Sequence, residues 1–289
     1  MPLKLTDYHK NIIEYYHLTE HAYKDSWDLN NSLAIHYGYW DEKVKNFPQS
    51  LLRMNEVMIE AAKIRKDDYV LDAGCGGGVC SIFMAMQKGC RVTGITLSER
   101  QVQQATQFAK EKKVNHLVDF RVMNYCNTDF DENSFDVIWG CESICYADSK
   151  EQFVREAYRI LKPGGRLVVA DGFVTNFGNN NHVIIRNWLD GCQVNYLETP
   201  ERFSSFMTET GFTQISYRDI TKETSHSSRR LNRFYYLASL YLLFRKMIFL
   251  RKQPAKMQKL NIRACRYQYL GMKRGLWKYG LIAGKKPDK

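Results

Sequence analysis

The residues with the plainest chemical potential run Leu71-Asp72-Ala73-Gly74-Cys75-Gly76-Gly77-Gly78. Glycines at this density let a backbone turn tightly and approach a ligand with no Cβ in the way. The segment follows an apolar run at 69–73 and opens a helical pattern at 79–87. Doubly wound sheets hold nucleotide-like ligands at such strand–turn–helix junctions. A dinucleotide is one compatible ligand, and a tight turn with no ligand is the plain structural alternative. A dinucleotide site would end the second strand in an acid for the ribose, and here that strand ends Gly94-Ile95-Thr96-Leu97-Ser98. The eight cysteines form no CxxC pair, so no structural zinc is expected and no metal ligand is assigned. They read as reduced thiols of a cytoplasmic protein.

These residues need a frame. Strand-like runs at 69–73, 91–95, 117–122, 134–139 and 166–171 alternate with helical patterns at 79–87, 98–112 and 149–161. Ser98 is a candidate N-cap, with Gln101 completing a capping box. The third helix is expected to stop at Lys162-Pro163-Gly164-Gly165. The alternation predicts a parallel sheet with helices on both faces. Residues 1–66 read as helical, and 222–275 fall between two more strand candidates, 212–219 and 276–283. At 289 residues, one large domain with an insertion is favoured over two cores. The expected organisation is an N-terminal helical cap (1–66), an α/β core (67–221 and 276–289) and a basic helical cap insertion (222–275).

The motifs LDAGCGGG, SFDVIW and RILKPGGRLVVAD, in that order between Tyr69 and Asp171, resemble the class I S-adenosylmethionine-dependent methyltransferases. The resemblance implies an α/β fold: a Rossmann-like seven-stranded sheet with N-terminal helices and a helical cap insertion before the last strand. It implies S-adenosyl-L-methionine as cofactor, with Asp72, Gly74, Cys75, Gly76 and Cys141 in contact with it. The run Thr96-Leu97-Ser98-Glu99-Arg100-Gln101 resembles one branch, that of cyclopropane fatty-acid synthases and of sterol, tocopherol and prenyl-diphosphate C-methyltransferases. There the equivalents of Thr96, Leu97 and Gln101 meet the ribose, and an amide offers a diol both a donor and an acceptor. Asn124 and Tyr125 stand where adenine is usually met, Asn124 replacing the Asp of many members. The prefix LAIHYGYW (33–40) also resembles this branch, whose N-terminal helices cover the cofactor. It nominates Tyr39 as a cofactor contact and His36 as a substrate contact.

Gly140-Cys141-Glu142-Ser143-Ile144-Cys145-Tyr146 resembles the stretch carrying the active-site Glu of sterol and prenyl-diphosphate C-methyltransferases. The resemblance implies that Glu142 stabilises the carbocation left when an alkene takes a methyl group, accepts the proton that follows, or both. The competing reading makes Glu142 a structural hydrogen-bond acceptor. Tyr146, Phe173 and Trp188 are the remaining substrate candidates. The expected reaction is C-methylation of a lipophilic alkene: an isoprenoid or terpenoid, a sterol, or a prenyl diphosphate, the last with Mg2+. The rival is O- or N-methylation of a small natural product.

The formal charge of +11 is uneven. From Arg229 onward stand seventeen Lys/Arg and one acid, Asp288, whereas residues 1–228 are mildly acidic. Within the basic part, FYYLASLYLLF and MIFL alternate with RRLNR, RK and RKQPAK. Such a basic amphipathic element suits an anionic membrane surface or a diphosphate head group. Nucleic acid is disfavoured, because no recognisable binding module is present. The first residues lack a signal-peptide core, and 234–250 are interrupted by Arg245-Lys246. A cytoplasmic protein, peripheral at most to a membrane, is expected.

Overall fold

The short apolar runs become β1 (Tyr69–Ala73), β2 (Arg91–Thr96), β3 (Val118–Val122) and β4 (Phe135–Cys141). Val70, Val92, Val137 and Ile138 have no measurable exposure, as strands covered on both faces require. The protein is described by a computed structural model covering residues 5–27, 36–247 and 256–289. In it these strands join β5 (Leu161–Val174), β6 (Thr213–Asp219) and β7 (Trp277–Lys285) in one sheet of order β3-β2-β1-β4-β5-β7-β6.

The expected parallel sheet is in fact mixed. The five strands β1 to β5 pair in parallel. β7 is antiparallel to both β5 and β6. Between β6 and β7 lie two long helices, α8 (Thr221–Met247) and α9 (Lys256–Lys273), which pack on each other. They leave and re-enter the sheet at the same edge, the one where β1 to β5 end, so the returning strand must run backwards. The second departure is at 162–165. The proline–glycine stop is an irregularity inside β5: Leu161 pairs with Phe135 and Arg166 with Val137. Gly164 takes φ 77° to carry the chain through it.

Alternate residues of the strands feed two cores. Val70, Val137, Val168 and Ala170 pack with α2 (Phe47–Ala62), α3 (Val79–Lys88), α6 (Val183–Cys192) and α9. Leu71, Ile138, Val169 and Phe173 pack with α5 (Lys150–Ile160) and α7 (Pro200–Thr210). Helix α4 (Glu99–Glu111) follows β2, and Ser98 caps it by accepting from the Gln101 N–H. Helix α1 (Asp7–Trp27) packs on α9. Among the described residues no helix is long and apolar enough to cross a membrane.

Candidate active site

Two adjoining cavities open where β1 to β5 end. They are of similar volume, about 140 and 120 Å³. Tyr16, Glu142 and Tyr146 line both, so these residues form the partition between them.

The first cavity is built on the glycine turn. Gly74, Gly76 and Gly78 all have positive φ, at 87°, 52° and 80°. A Cβ at Gly74 would meet the Ser143 side chain at 2.4 Å, so backbone and wall touch there. A Cβ at Gly76 or Gly77 would meet nothing within 4 Å, so this stretch of backbone borders open space. Asp72 sits at the end of β1 and accepts from Ser81 Oγ at 2.6 Å. Burial raises its carboxyl to about 8. Thr96 Oγ1 donates to Gln101 Oε1 at 2.6 Å. The Gln101 side chain thus turns to Thr96 and the cavity rather than back to Ser98 as the reciprocal half of a capping box. Asn124 and Tyr125 line the far end. Asn124 Oδ1 also accepts from the Cys126 N–H at 2.9 Å, and the Tyr125 hydroxyl donates to the Ser143 carbonyl at 2.7 Å. Helix α1 closes the cavity with His9, Ile12, Ile13 and Tyr16. His9 Nε2 lies 2.7 Å from Asp148 Oδ2, which ties the start of α1 to the loop after β4. The sequence nominated Asp72, Gly74, Cys75, Gly76, Thr96, Leu97, Gln101, Asn124, Tyr125 and Cys141 for one cofactor, and all ten line this cavity.

Glu142 follows β4 with φ 49°, a left-handed backbone that a non-glycine residue adopts at a cost. Its N–H donates to the Ala170 carbonyl at 2.8 Å, fixing the turn. Its Oε1 accepts from the Tyr37 N–H and from the Tyr279 hydroxyl, the latter at 2.6 Å. Burial raises the carboxyl to about 7, against the opposing pull of His36 and these two donors. A carboxylate poised there can give and take a proton near neutrality.

The second cavity is aromatic. Tyr15, Tyr16, Tyr37, Tyr146, Trp188, Trp277 and Tyr279 surround it. The Trp188 and Trp277 ring centroids are 4.4 Å apart, and Tyr37 lies 5.4 Å from Tyr279. Buried Gln268 of α9 ties the wall together. Its Oε1 accepts from the Tyr37 hydroxyl at 2.6 Å and from Ser228 Oγ at 2.7 Å, and its carbonyl accepts from Trp277 Nε1 at 2.7 Å. Asp171 at the floor accepts from the N–H groups of Cys145 and Gly172, and burial raises it to about 6. No Lys or Arg is among the described residues that line either cavity.

Three nominated residues are placed differently. His36 lines the first cavity rather than the second. Its Nδ1 pairs with the Tyr37 carbonyl at 3.0 Å, which turns the ring toward Cys80. Tyr39 lines neither cavity. Its N–H donates to Ser50 and that of Trp40 to Glu223, which holds this segment between α2 and α8, with the Tyr39 ring 5.8 Å from the Arg218 guanidinium. Phe173 points to the other face of the sheet and packs edge-on against Phe203 and Tyr217. Tyr146 and Trp188 do line the second cavity. Sequence reasoning missed Tyr16, Trp277 and Tyr279. The one signal for the last pair was their period-two spacing in the final strand.

A further grouping was invisible in sequence. His36, Cys80 and Cys141 bring their ligand-type atoms within 4.8 Å of one another beside the first cavity. Hydrogen bonds from Cys141 and His36 pull the Cys80 thiol down to about 5, while Cys141 is pushed well up. Such atoms would also suit a soft divalent cation, a use that holding the cofactor does not require.

A family model described as a methyltransferase domain matches residues 71–169. The 27-O-demethylrifamycin SV methyltransferase of Amycolatopsis mediterranei (strain S699) is 34% identical over 52% of this chain and 55% of its own length. The sterol 24-C-methyltransferase ERG6 of Saccharomyces cerevisiae (strain ATCC 204508 / S288c) is 30% identical over 62% of this chain and 45% of its own. The chain thus spans about half the length of these two relatives. Geranyl diphosphate C-methyltransferase from Streptomyces coelicolor A3(2), solved with Mg2+, geranyl diphosphate and S-adenosyl-L-homocysteine, superposes with a TM-score of 0.72. It is 20% identical, with 99% of this chain and 100% of that chain covered. The [4+2]-cyclase SpnF superposes at 0.76, 21% identical, over 96% of both chains. Residues 71–169 thus match a methyltransferase domain, and the chain has the Rossmann-like fold of the class I S-adenosylmethionine-dependent methyltransferases. Its sequence relatives include a sterol 24-C-methyltransferase, and geranyl diphosphate C-methyltransferase shares its fold.

Proposed function

We propose that the protein methylates an alkene carbon of a neutral, lipophilic, isoprenoid-like substrate held in the second cavity. The observation that carries this reading is Glu142, a carboxylate on the wall between a glycine-lined cavity and an aromatic one. S-adenosyl-L-methionine fits the first cavity: backbone without Cβ atoms borders it, and Thr96, Gln101 and Asn124 supply polar groups. When bound, it supplies an electrophilic methyl group. The ring faces of Tyr16, Tyr37, Trp188 and Tyr279 can stabilise positive charge developing on the substrate, and α1 with the aromatic walls excludes water. Glu142 sits where that charge arises and takes the proton as the product forms. Tyr279 and the Tyr37 N–H hold the carboxylate oriented while they do so.

The absence of Lys and Arg among the described lining residues favours a neutral substrate over a prenyl diphosphate, whose phosphates need cations. With a neutral substrate no Mg2+ is called for. Incubation with labelled cofactor and a panel of neutral polyprenoids, sterols and prenyl diphosphates tests the reading. Label in a new C–CH3 group of a neutral member is the expected result, and label confined to an ether or amine defeats it. O-methylation is the second reading, favoured by the 27-O-demethylrifamycin relative and by a carboxylate held at about 7, which could deprotonate a hydroxyl.

A further inference from the structure

Helix α8 enters the fold on its first half only. Thr224, Ser227 and Ser228 are fully buried, and Leu231 lines the second cavity. Beyond Leu231 the helix moves outward. Tyr236, Leu237, Leu240, Tyr241, Leu243 and Phe244 are between 51% and 68% exposed, and they are six of the ten exposed large apolar side chains among the described residues. Leu237, Leu240, Tyr241 and Phe244 follow the i, i+3, i+4, i+7 spacing of a single helical stripe, with Tyr236 and Leu243 on its flanks. Left in water, such a stripe is a contiguous apolar patch of the kind that marks an interaction surface.

The surroundings say what covers it. Arg229, Arg230 and Arg233 precede the stripe on the same helix, and Lys256, Lys259, Arg263 and Arg266 stand on α9 beside it. Arg266 donates to the Tyr236 hydroxyl at 3.0 Å and lies over the rings of Tyr235 and Tyr236. Glu223, at the buried start of α8, is the only acid on either helix. Two copies meeting through this face would set basic residues against basic residues, with no acid to answer them. An anionic bilayer answers both features at once: its head groups meet the Arg and Lys, and its acyl boundary takes the Leu, Tyr and Phe.

We infer that the exposed stripe of α8 docks on an anionic membrane surface. The second cavity lies along the same helix, so a lipophilic substrate would pass from the bilayer past Leu231; this use rests on the proposed function, but the docking itself does not. Sedimentation of the full chain with vesicles of phosphatidylcholine, alone or mixed with phosphatidylglycerol, tests it. Binding to the mixed vesicles is expected to be roughly tenfold tighter than to phosphatidylcholine alone and to weaken with salt. The L237E/L240E/F244E variant is expected to lose roughly tenfold or more of that binding while keeping its affinity for S-adenosylmethionine and its circular dichroism. Failure of the native chain to sediment with the mixed vesicles overturns the inference. So does a variant that sediments like the native chain, or a native dimer by light scattering that the variant converts to monomer. A chain that methylates detergent-dispersed alkenes but ignores vesicles overturns the docking alone. One that binds vesicles but makes no C–CH3 product overturns the proposed reaction alone.

Discussion

The two cavities share a partition but are assembled in different ways. The first is built mainly from local runs: β1 to β4 each deliver one, Asp72–Gly77, Thr96–Gln101, Asn124–Tyr125 and Cys141–Ser143, to one edge, and α1 closes it. The second is global. Its walls come from Tyr16 of α1, Trp188 of α6, Cys265 and Gln268 of α9, and Trp277 and Tyr279 of β7, which only the finished fold brings together. The first needs backbone geometry, which glycines dictate. The second needs ring faces, which any buried aromatic could supply.

Breaking the partition should cost most. Glu142→Gln is expected to lower turnover by about 10²- to 10⁴-fold while leaving cofactor affinity near native, measured by single-turnover kinetics and calorimetry. The native rate should rise with pH through about 7 as Glu142 ionises, and the variant should lose that limb. The same residue carries a stability signature. Burial lifts its carboxyl from 4.5 to about 7, so its contribution to folding is full below 4.5 and is lost as pH rises through 7. Thermal melts of Glu142→Gln across that interval should lack this share of the decline.

Breaking the first cavity alone comes next. Gly74→Ala puts a Cβ on a residue with φ 87° and against Ser143, and should weaken cofactor binding roughly ten- to a hundredfold. In the second cavity, Trp188→Ala should raise the substrate KM by about tenfold with cofactor affinity unchanged. Tyr279→Phe removes a donor that holds the Glu142 carboxylate down, so the acid limb should move to higher pH, with kcat/KM at neutrality falling roughly three- to tenfold. The smallest effects belong to the residues that lie in neither cavity. Tyr39→Phe should leave both binding constants within about twofold, and Phe173→Leu should cost on the order of 1 kcal/mol of stability without touching kinetics. A large kinetic loss in either would restore it to the site.

The contrast also explains what could be read in advance. The glycine turn, the TLSERQ run and Glu142 announce themselves because their chemistry depends on neighbours in the chain. His36, Tyr39 and Phe173 were nominated by position, and position does not fix which way a side chain turns. Phe173 has the parity of Val169, so its ring packs with Phe203 and Tyr217 in the core of α5 and α7, while Gly172 beside it faces Trp188 and Trp277. The Tyr39 segment is held away from both cavities by the Tyr39 N–H on the Ser50 carbonyl and the Trp40 N–H on the Glu223 carbonyl. The reversed last strand was hidden for a related reason: apolar periodicity marks a strand but carries no direction. Leu33, Ala34 and Ile35 of the LAIHYGYW prefix, and residues 248–255 of the basic segment, lie outside the described residues.

That reversal has a consequence of its own. Because β6 and β7 are antiparallel neighbours, they form in topological terms a hairpin whose connection happens to be two long helices. Antiparallel neighbours can be joined by as few as two residues, and the entropy of closing a longer connection grows only with the logarithm of its length. The sheet therefore tolerates almost any insert at this point. Descendants of this scaffold could exchange the whole helical pair for another, and with it one wall of the second cavity, without retuning the strands that border the first.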